Sequence, residues 1–221
     1  YEHLRKEISE DPCIEFLYSN ELTGVELRED RGISRIECTC GNHKKYFSAS
    51  FFADCTGVAA KLAGICGLNK QFPVMAAGLE CIHKNVNDGR TAVFFIGSEI
   101  SGCYGWLFPK SGNKIITGIG TIVKSQYPKL RKLFEQVIIS RIEKLGYDTD
   151  VVDMNFAALR TGKPLKRFSY KNVIILGDSA SQANPLIGEG IRFVMFASKC
   201  AAEAIKNAVS ACDEGKLKIY D

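Results

Sequence analysis

The sequence predicts a mixed α/β (α+β) fold built from two kinds of β-structure. Three stretches carry that expectation. Residues 173–204 run from an apolar tetrapeptide, Val173-Ile174-Ile175-Leu176, through a glycine-rich loop into a helical pattern: a buried strand, a loop and a crossover helix. Residues 74–121 hold four short segments rich in β-formers, with turn signals at Asn87-Asp88-Gly89 and Ser111-Gly112-Asn113, an antiparallel pattern. Residues 129–145 set Leu130, Leu133, Phe134, Val137, Ile138, Arg141, Ile142 and Leu145 on one helical stripe that Gly146 stops. With 221 residues, 46% of them hydrophobic, the chain can bury a sizeable core.

Taken in order, residues 1–10 read as an amphipathic helix end through Leu4 and Ile8. Residues 13–17 read as a short strand. Residues 21–28 and 33–39 alternate around the turn Glu29-Asp30-Arg31-Gly32, and 45–48 adds a further strand. Residues 50–54 read as a strand entering Cys55-Thr56-Gly57. Strands follow at 74–81, 91–96, 102–108 and 114–121, then the helix, then a strand at 151–159. Gly162-Lys163-Pro164-Leu165 crosses back to the strand at 173. In the last helix Ile191, Val194, Met195, Ser198, Ala201, Ala202 and Ile205 mark the expected inner stripe. The expected division is residues 1–70, 71–165 and 166–221, the first and last forming one domain around the second.

Composition excludes several classes. The 29 basic and 25 acidic residues are interspersed, and no basic run with interleaved aromatics is present, so no nucleic-acid partner is expected. The net charge of +4 would suit anionic lipid or a phosphorylated substrate. The nine cysteines have irregular spacing without a Cys-x-x-Cys pair, and read as reduced core thiols of a cytoplasmic protein rather than disulfides or metal ligands. No signal peptide and no apolar run of membrane-spanning length is visible. His3, His43 and His83 lie in polar segments and read as exposed. No Ser/His/Asp set, carboxylate pair or metal cluster stands out.

Two motifs carry chemistry. In the first, Gly177-Asp178 ends a strand, and Asn184-Pro185-Leu186-Ile187-Gly188-Glu189-Gly190-Ile191 leads into a helix N-terminus. A carboxylate at a strand's end accepts from sugar hydroxyls, and a helix N-terminus favours negative charge. In the second, Tyr104, Trp106 and Phe108 alternate to one face of a strand that ends at Pro109, and Gly118 and Gly120 follow after eight residues. Three aromatics on one face form an apolar wall, and the glycines are expected to leave space opposite it. A hydrocarbon chain along that wall would gain roughly 0.8 kcal/mol per buried methylene.

Together these motifs closely resemble those of FAD-dependent oxidoreductases with the para-hydroxybenzoate hydroxylase fold, and within them the geranylgeranyl reductase family. The resemblance implies a partial FAD-binding Rossmann-like domain plus an antiparallel-sheet substrate domain, with FAD as cofactor and reduction of isoprenoid double bonds as activity. It implies that Asp178 meets the ribityl hydroxyls, that the backbone of Gly188-Glu189-Gly190-Ile191 faces the flavin ring, and that Gly177 and Pro185 shape the loop. Asp54 and Gly57 match, loosely, the turn beside the pyrophosphate and ring; Thr56-Gly57 stands where hydroxylases carry Asp-Gly. Tyr104, Trp106, Phe108, Pro109, Gly118 and Gly120 correspond to the substrate motif. The partners implied are a prenyl lipid or prenylated small molecule and an electron donor, ferredoxin or NADPH, with a place at the membrane surface left open.

The chain begins at Tyr1 and contains no Gly-x-Gly-x-x-Gly unit for the ADP half of FAD, so that unit is expected before Tyr1, and weak FAD retention by these residues alone. More helix is expected after Asp221. The proton donor is left open between Cys103, Tyr104 and water. The alternatives are another flavoprotein of this fold (an aromatic monooxygenase, a halogenase or a quinone-linked electron-transfer dehydrogenase) or a non-catalytic fragment.

Overall fold

A computed structural model describes residues 2–68, 75–84, 90–184 and 188–221. The turn expected at 87–89 and Pro185 lie outside these residues. Helix α1 spans Glu2–Ser9. Strands β1 (Glu21–Leu27), β2 (Ile33–Cys40) and β3 (His43–Phe47) pair antiparallel in that order. Residues 13–17 do not form the expected strand. Among the described residues no strand pairs with them, Ile14, Phe16 and Leu17 stay exposed, and Phe16 instead stacks on Tyr18 with ring centroids 5.9 Å apart. An apolar run without a partner for its backbone gains nothing from extending.

Strand β4 (Phe52–Asp54) and helix α2 (Lys61–Ile65) follow, joined by a short 3-10 turn at Gly57–Ala59. The second sheet is antiparallel throughout: β5 (Met75–Lys84), β6 (Val93–Phe95), β7 (Cys103–Lys110), β8 (Lys114–Thr121) and β9 (Val151–Arg160), in spatial order β6-β7-β8-β5-β9. One face is covered by a helix running through α3 (Leu130–Leu133), a π-helical stretch (Phe134–Ile139) and α4 (Ser140–Lys144). Its fully buried residues are Leu130, Phe134, Ile138 and Ile142, spaced by four. In a regular α-helix each step of four drifts by about 40° around the axis. The wider π turn absorbs the drift and keeps the four side chains on Leu79, Leu107, Ile115 and Ile119.

The chain then returns through β10 (Ser169–Tyr170) and β11 (Val173–Ile175). Strand β11 pairs antiparallel with β10 and parallel with β4, the parallel pair joining segments more than a hundred residues apart. Helix α5 (Ile191–Ala211) packs on this sheet. Its buried face overlaps the predicted stripe only in part. Ala201, Ala204 and Ala208 face Ile174, Leu176 and Leu217 with Ile205 packed beside them, as expected of Ala201 and Ile205, while Ile191 and Met195 are 76% and 62% exposed. Small side chains let the helix approach closely, and that gain of packing outweighs the burial of the larger residues on the opposite side.

Two polar ties hold the small sheets together. The buried Asn172 side chain accepts from the Ile33 N–H at 2.8 Å and donates to the Ile33 carbonyl at 2.9 Å. Arg28 pairs with Glu214 at 2.7 Å. All nine cysteines are free thiols, but only Cys38 and Cys81 are buried, and Cys13, Cys55 and Cys212 are exposed; the expectation of core thiols holds for a minority. His83 also departs from expectation. It is fully buried on β5, and its Nε2 lies 2.8 Å from Thr117 Oγ1 on β8. Its polar sequence neighbours point to the other face of the strand.

Candidate functional site

The site forms where the loop before α5 meets the exposed face of the five-stranded sheet. Asp178 sits in a 3-10 turn, Gly177–Ala180, at the C-terminal end of β11. The turn is fixed by its own chain: Gln182 accepts from the Gly177 N–H at 2.8 Å and donates to the Tyr220 hydroxyl at 3.1 Å. Tyr220 in turn packs on Phe168. The Asp178 carboxyl is half-buried. Burial pushes its pKa up from 3.8, and the Arg160 cation opposes that shift. A Cβ on Gly190 would stand 3.6 Å from Asp178 Oδ1, which puts the carboxylate beside the start of α5. Among the described residues no side chain caps that helix start, and first-turn N–H groups are donors to anions and ring carbonyls.

Gly188 adopts φ +67, a left-handed conformation that a side chain would strain. A Cβ there would stand at ordinary contact distance, 3.5 Å from the Tyr104 hydroxyl and 3.6 Å from Leu159, so this position lies beside both β7 and β9. Beneath it lies a cavity of about 210 Å³ bordered by Tyr104, Trp106, Gly120, Leu159, Thr161 and Gly188. A second, mainly apolar hollow of about 620 Å³ opens on the other side of Thr161, against Pro164, Phe193 and Phe196.

The aromatic strand is arranged differently from expectation. Tyr104 and Trp106 lie side by side, ring centroids 5.5 Å apart, but Phe108 packs edge-on to Phe94 of β6 at 5.4 Å and does not border the cavity. Pro109 is exposed beyond it. Gly118 and Gly120 do not leave space opposite a wall. They are the register partners of Trp106 and Tyr104 on β8, and the indole lies on them: a Cβ on Gly120 would be 3.3 Å from the ring, and one on Gly118 would overlap it. The glycines form the floor on which the wall rests.

Asp54 is at the expected place, but its carboxylate faces inward with no exposed surface. Oδ1 accepts from the Thr56 N–H at 3.0 Å, the Thr56 hydroxyl at 2.6 Å and the Ser179 hydroxyl at 3.2 Å, and Oδ2 accepts from the Ala63 N–H at 2.8 Å. It organises the 55–63 turn beside Asp178. That turn presents Gly57, where a Cβ would meet nothing within 4 Å, to open space. The Glu189 carboxylate is bound to Arg192 at 3.0 and 2.9 Å, and Ile191 faces outward. Asp178, Gly188, Gly190, Tyr104, Trp106 and Gly120 are therefore brought together; Ile191, Phe108 and Pro109 stand apart.

Sequence reading missed Arg160. It ends β9, is 5% exposed, and donates from Nε to the Val58 carbonyl at 2.8 Å. Burial pulls its pKa down, while the negative charges of Asp54 and Asp178 oppose that shift. The signal was an arginine closing the apolar run Phe156-Ala157-Ala158-Leu159 just before a turn.

No family model matches the chain. In fold it is similar to a geranylgeranyl bacteriochlorophyll reductase-like protein of Thermoplasma acidophilum: TM-score 0.79 at 17% identity, over 91% of this chain and 52% of that one. A probable FAD-dependent monooxygenase of Pseudomonas aeruginosa aligns over 99% of this chain and 62% of its own, with TM-score 0.71 at 15% identity. The fold is the one these flavoproteins share. The resemblance to geranylgeranyl reductases extends to sequence. A digeranylgeranylglycerophospholipid reductase of Methanosarcina mazei is 34% identical over 129 residues, 58% of this chain and 31% of its own length. The chain spans about a third of the length of the first curated relatives it matches.

The described residues fit part of a flavin site. They offer a half-exposed carboxylate at a strand end, an uncapped helix start, and open space at Gly57.

Proposed function

We propose that these residues form the ring- and ribityl-facing part of an FAD site, together with the hydrocarbon chamber of a reductase that saturates isoprenoid double bonds. The observation that carries the reading is that Gly188 borders the same cavity as Tyr104, Trp106 and Leu159. It sets the loop assigned to the flavin directly over the cavity assigned to the alkene. FAD would supply hydride transfer. Asp178 would accept from ribityl hydroxyls, the α5 start would face the charged edge of the reduced ring, and the Trp106 surface would hold the prenyl chain and exclude water. The division into a cofactor domain (1–70 with 166–221) and a substrate domain (71–165) belongs to this reading.

The substrate class is a prenyl lipid or prenylated small molecule, by analogy with the named activity of the Methanosarcina protein. Its electrons would come from ferredoxin or NADPH. Nine unpaired thiols support a reducing, cytoplasmic setting, and a lipid substrate would be met at the membrane surface. No described helix is long and apolar enough to cross a membrane.

The test is product analysis. The FAD-loaded holoenzyme, chemically reduced, is offered a geranylgeranyl lipid and, separately, aromatic acids. Mass gains of two hydrogens per double bond in the lipid support the reading. Hydroxylated or halogenated aromatics with no lipid reduction would assign the chain to the monooxygenase or halogenase branch instead.

A further inference from the structure

We propose that Tyr104 is the proton donor of this reduction, delivering its phenolic proton to one carbon of the isoprenoid double bond. The inference rests on the function proposed above. Reduction of an alkene needs a hydride at one carbon and a proton at the other. Among the described residues bordering the cavity, only Cys103 and Tyr104 carry titratable protons. Adjacent strand residues point to opposite faces. Cys103 therefore turns its side chain into the helix-covered core, where it packs against the cluster around Leu107 and Phe134. Tyr104 turns to the open face, beside Trp106.

The Tyr104 hydroxyl also reaches the one point where the two halves of the site meet, 3.5 Å from the position a Cβ on Gly188 would take. A donor there stands next to the loop assigned to the flavin ring and inside the cavity assigned to the alkene. Burial pushes the phenol above its ordinary 10, so the O–H bond is intact throughout the physiological range. In the step, the Tyr104 O–H bond breaks and a C–H bond forms at one alkene carbon. Reduced FAD, when bound, would supply the hydride and hence both electrons for the other carbon, and the π bond is lost. The resulting tyrosinate recovers a proton from water.

The experiment compares the FAD-loaded holoenzyme with Tyr104→Phe and Cys103→Ser, using a geranylgeranyl lipid in detergent and dithionite as reductant. FAD affinity, lipid affinity, the rate of lipid reduction and its pH profile are measured for each. Tyr104→Phe is expected to keep FAD and lipid binding within about threefold of the unaltered protein. It should lower the reduction rate by roughly 10²–10⁴-fold and abolish the alkaline limb of the profile. In the flavin-free protein, the phenolate absorbance lost in Tyr104→Phe should be the component titrating above pH 10. An unchanged rate and profile in Tyr104→Phe overturns the proposal while leaving the proposed function standing. So does loss of the alkaline limb in Cys103→Ser alone. If the unaltered protein binds reduced FAD but saturates no isoprenoid, both the proposal and the function are overturned.

Discussion

The indole of Trp106 lies flat over Gly118, its register partner on the neighbouring strand, in the volume a β-carbon would occupy. The ring is held from below by three glycines, since Gly120 and Gly78 also lie within about 4 Å of it at their would-be Cβ positions. The face assigned to a lipid thus owes its shape to what those three strand positions lack.

Gly118→Ala should therefore lift the indole or distort β8, because the new methyl would also stand 2.7 Å from the Leu79 carbonyl. Overpacking of this kind costs about 1–3 kcal/mol. Trp106 is the chain's single tryptophan, so its emission reports the displacement directly. The expected result is a lower denaturant midpoint and a red-shifted spectrum. An unshifted spectrum would contradict the packing described.

On the covered face, Ile138 inserts into the space left by Gly105. Gly105→Ala is expected to destabilise by about 1–3 kcal/mol, and shortening the opposing side chain with Ile138→Val should recover part of the loss. A double-mutant cycle should show a favourable coupling of roughly 0.5 kcal/mol or more. Simple additivity would mean that the two residues do not touch.

Asp178 bears on stability and binding in opposite senses. Its folded pKa is raised above 3.8, so its contribution to stability is present at low pH and is lost as pH rises through the folded value. Asp178→Asn removes that loss. The variant should be at least as stable as the unaltered protein at pH 7, with a flatter stability profile between pH 4 and 7, and should bind FAD more weakly. Urea midpoints and flavin fluorescence measure the two effects separately.

His83 gives the opposite slope. Burial holds its pKa below 6.5, with Asp148 nearby opposing the shift. The unfolded chain takes up the proton first as the solution is acidified, so stability is full above about pH 6.5 and falls as pH drops through that value. His83→Gln keeps a partner for Thr117 and should flatten the thermal midpoint between pH 7 and 5. A slope that survives the substitution would place its origin elsewhere.

Much of this arrangement is legible in the sequence where one local rule suffices. The strand at β8 matches its prediction to the residue, Lys114–Thr121, because alternation and the Ser111-Gly112-Asn113 turn agree. The remaining features depend on a partner from elsewhere in the chain. The buried side of α5 is set by β11, whose flat surface of Ile174 and Leu176 accepts an alanine face, and no periodicity within the helix says so. Residues 13–17 have strand composition, but among the described residues no strand pairs with them. His83 looks polar in sequence because its companions on β5 alternate outward.

The candidate site divides in the same way. Residue types and spacing point to Asp178 and to the Tyr104–Trp106 face. That Asp54 turns inward depends on Ala63 and Ser179, one nine and the other 125 residues away. That Arg160 is buried against the Val58 carbonyl depends on a sheet edge meeting a turn a hundred residues earlier. Tertiary contacts of that range leave no trace in local pattern.

The alanine face of α5 also acts as a lever. The helix has 21 residues, about 31 Å of rigid rod, seated on the sheet through methyl groups at Ala201, Ala204 and Ala208. Its N-terminal turn overhangs Asp178. A bulkier side chain at Ala208 would lift the far end of the rod from the sheet, and a rigid rod carries that displacement to its start beside Asp178.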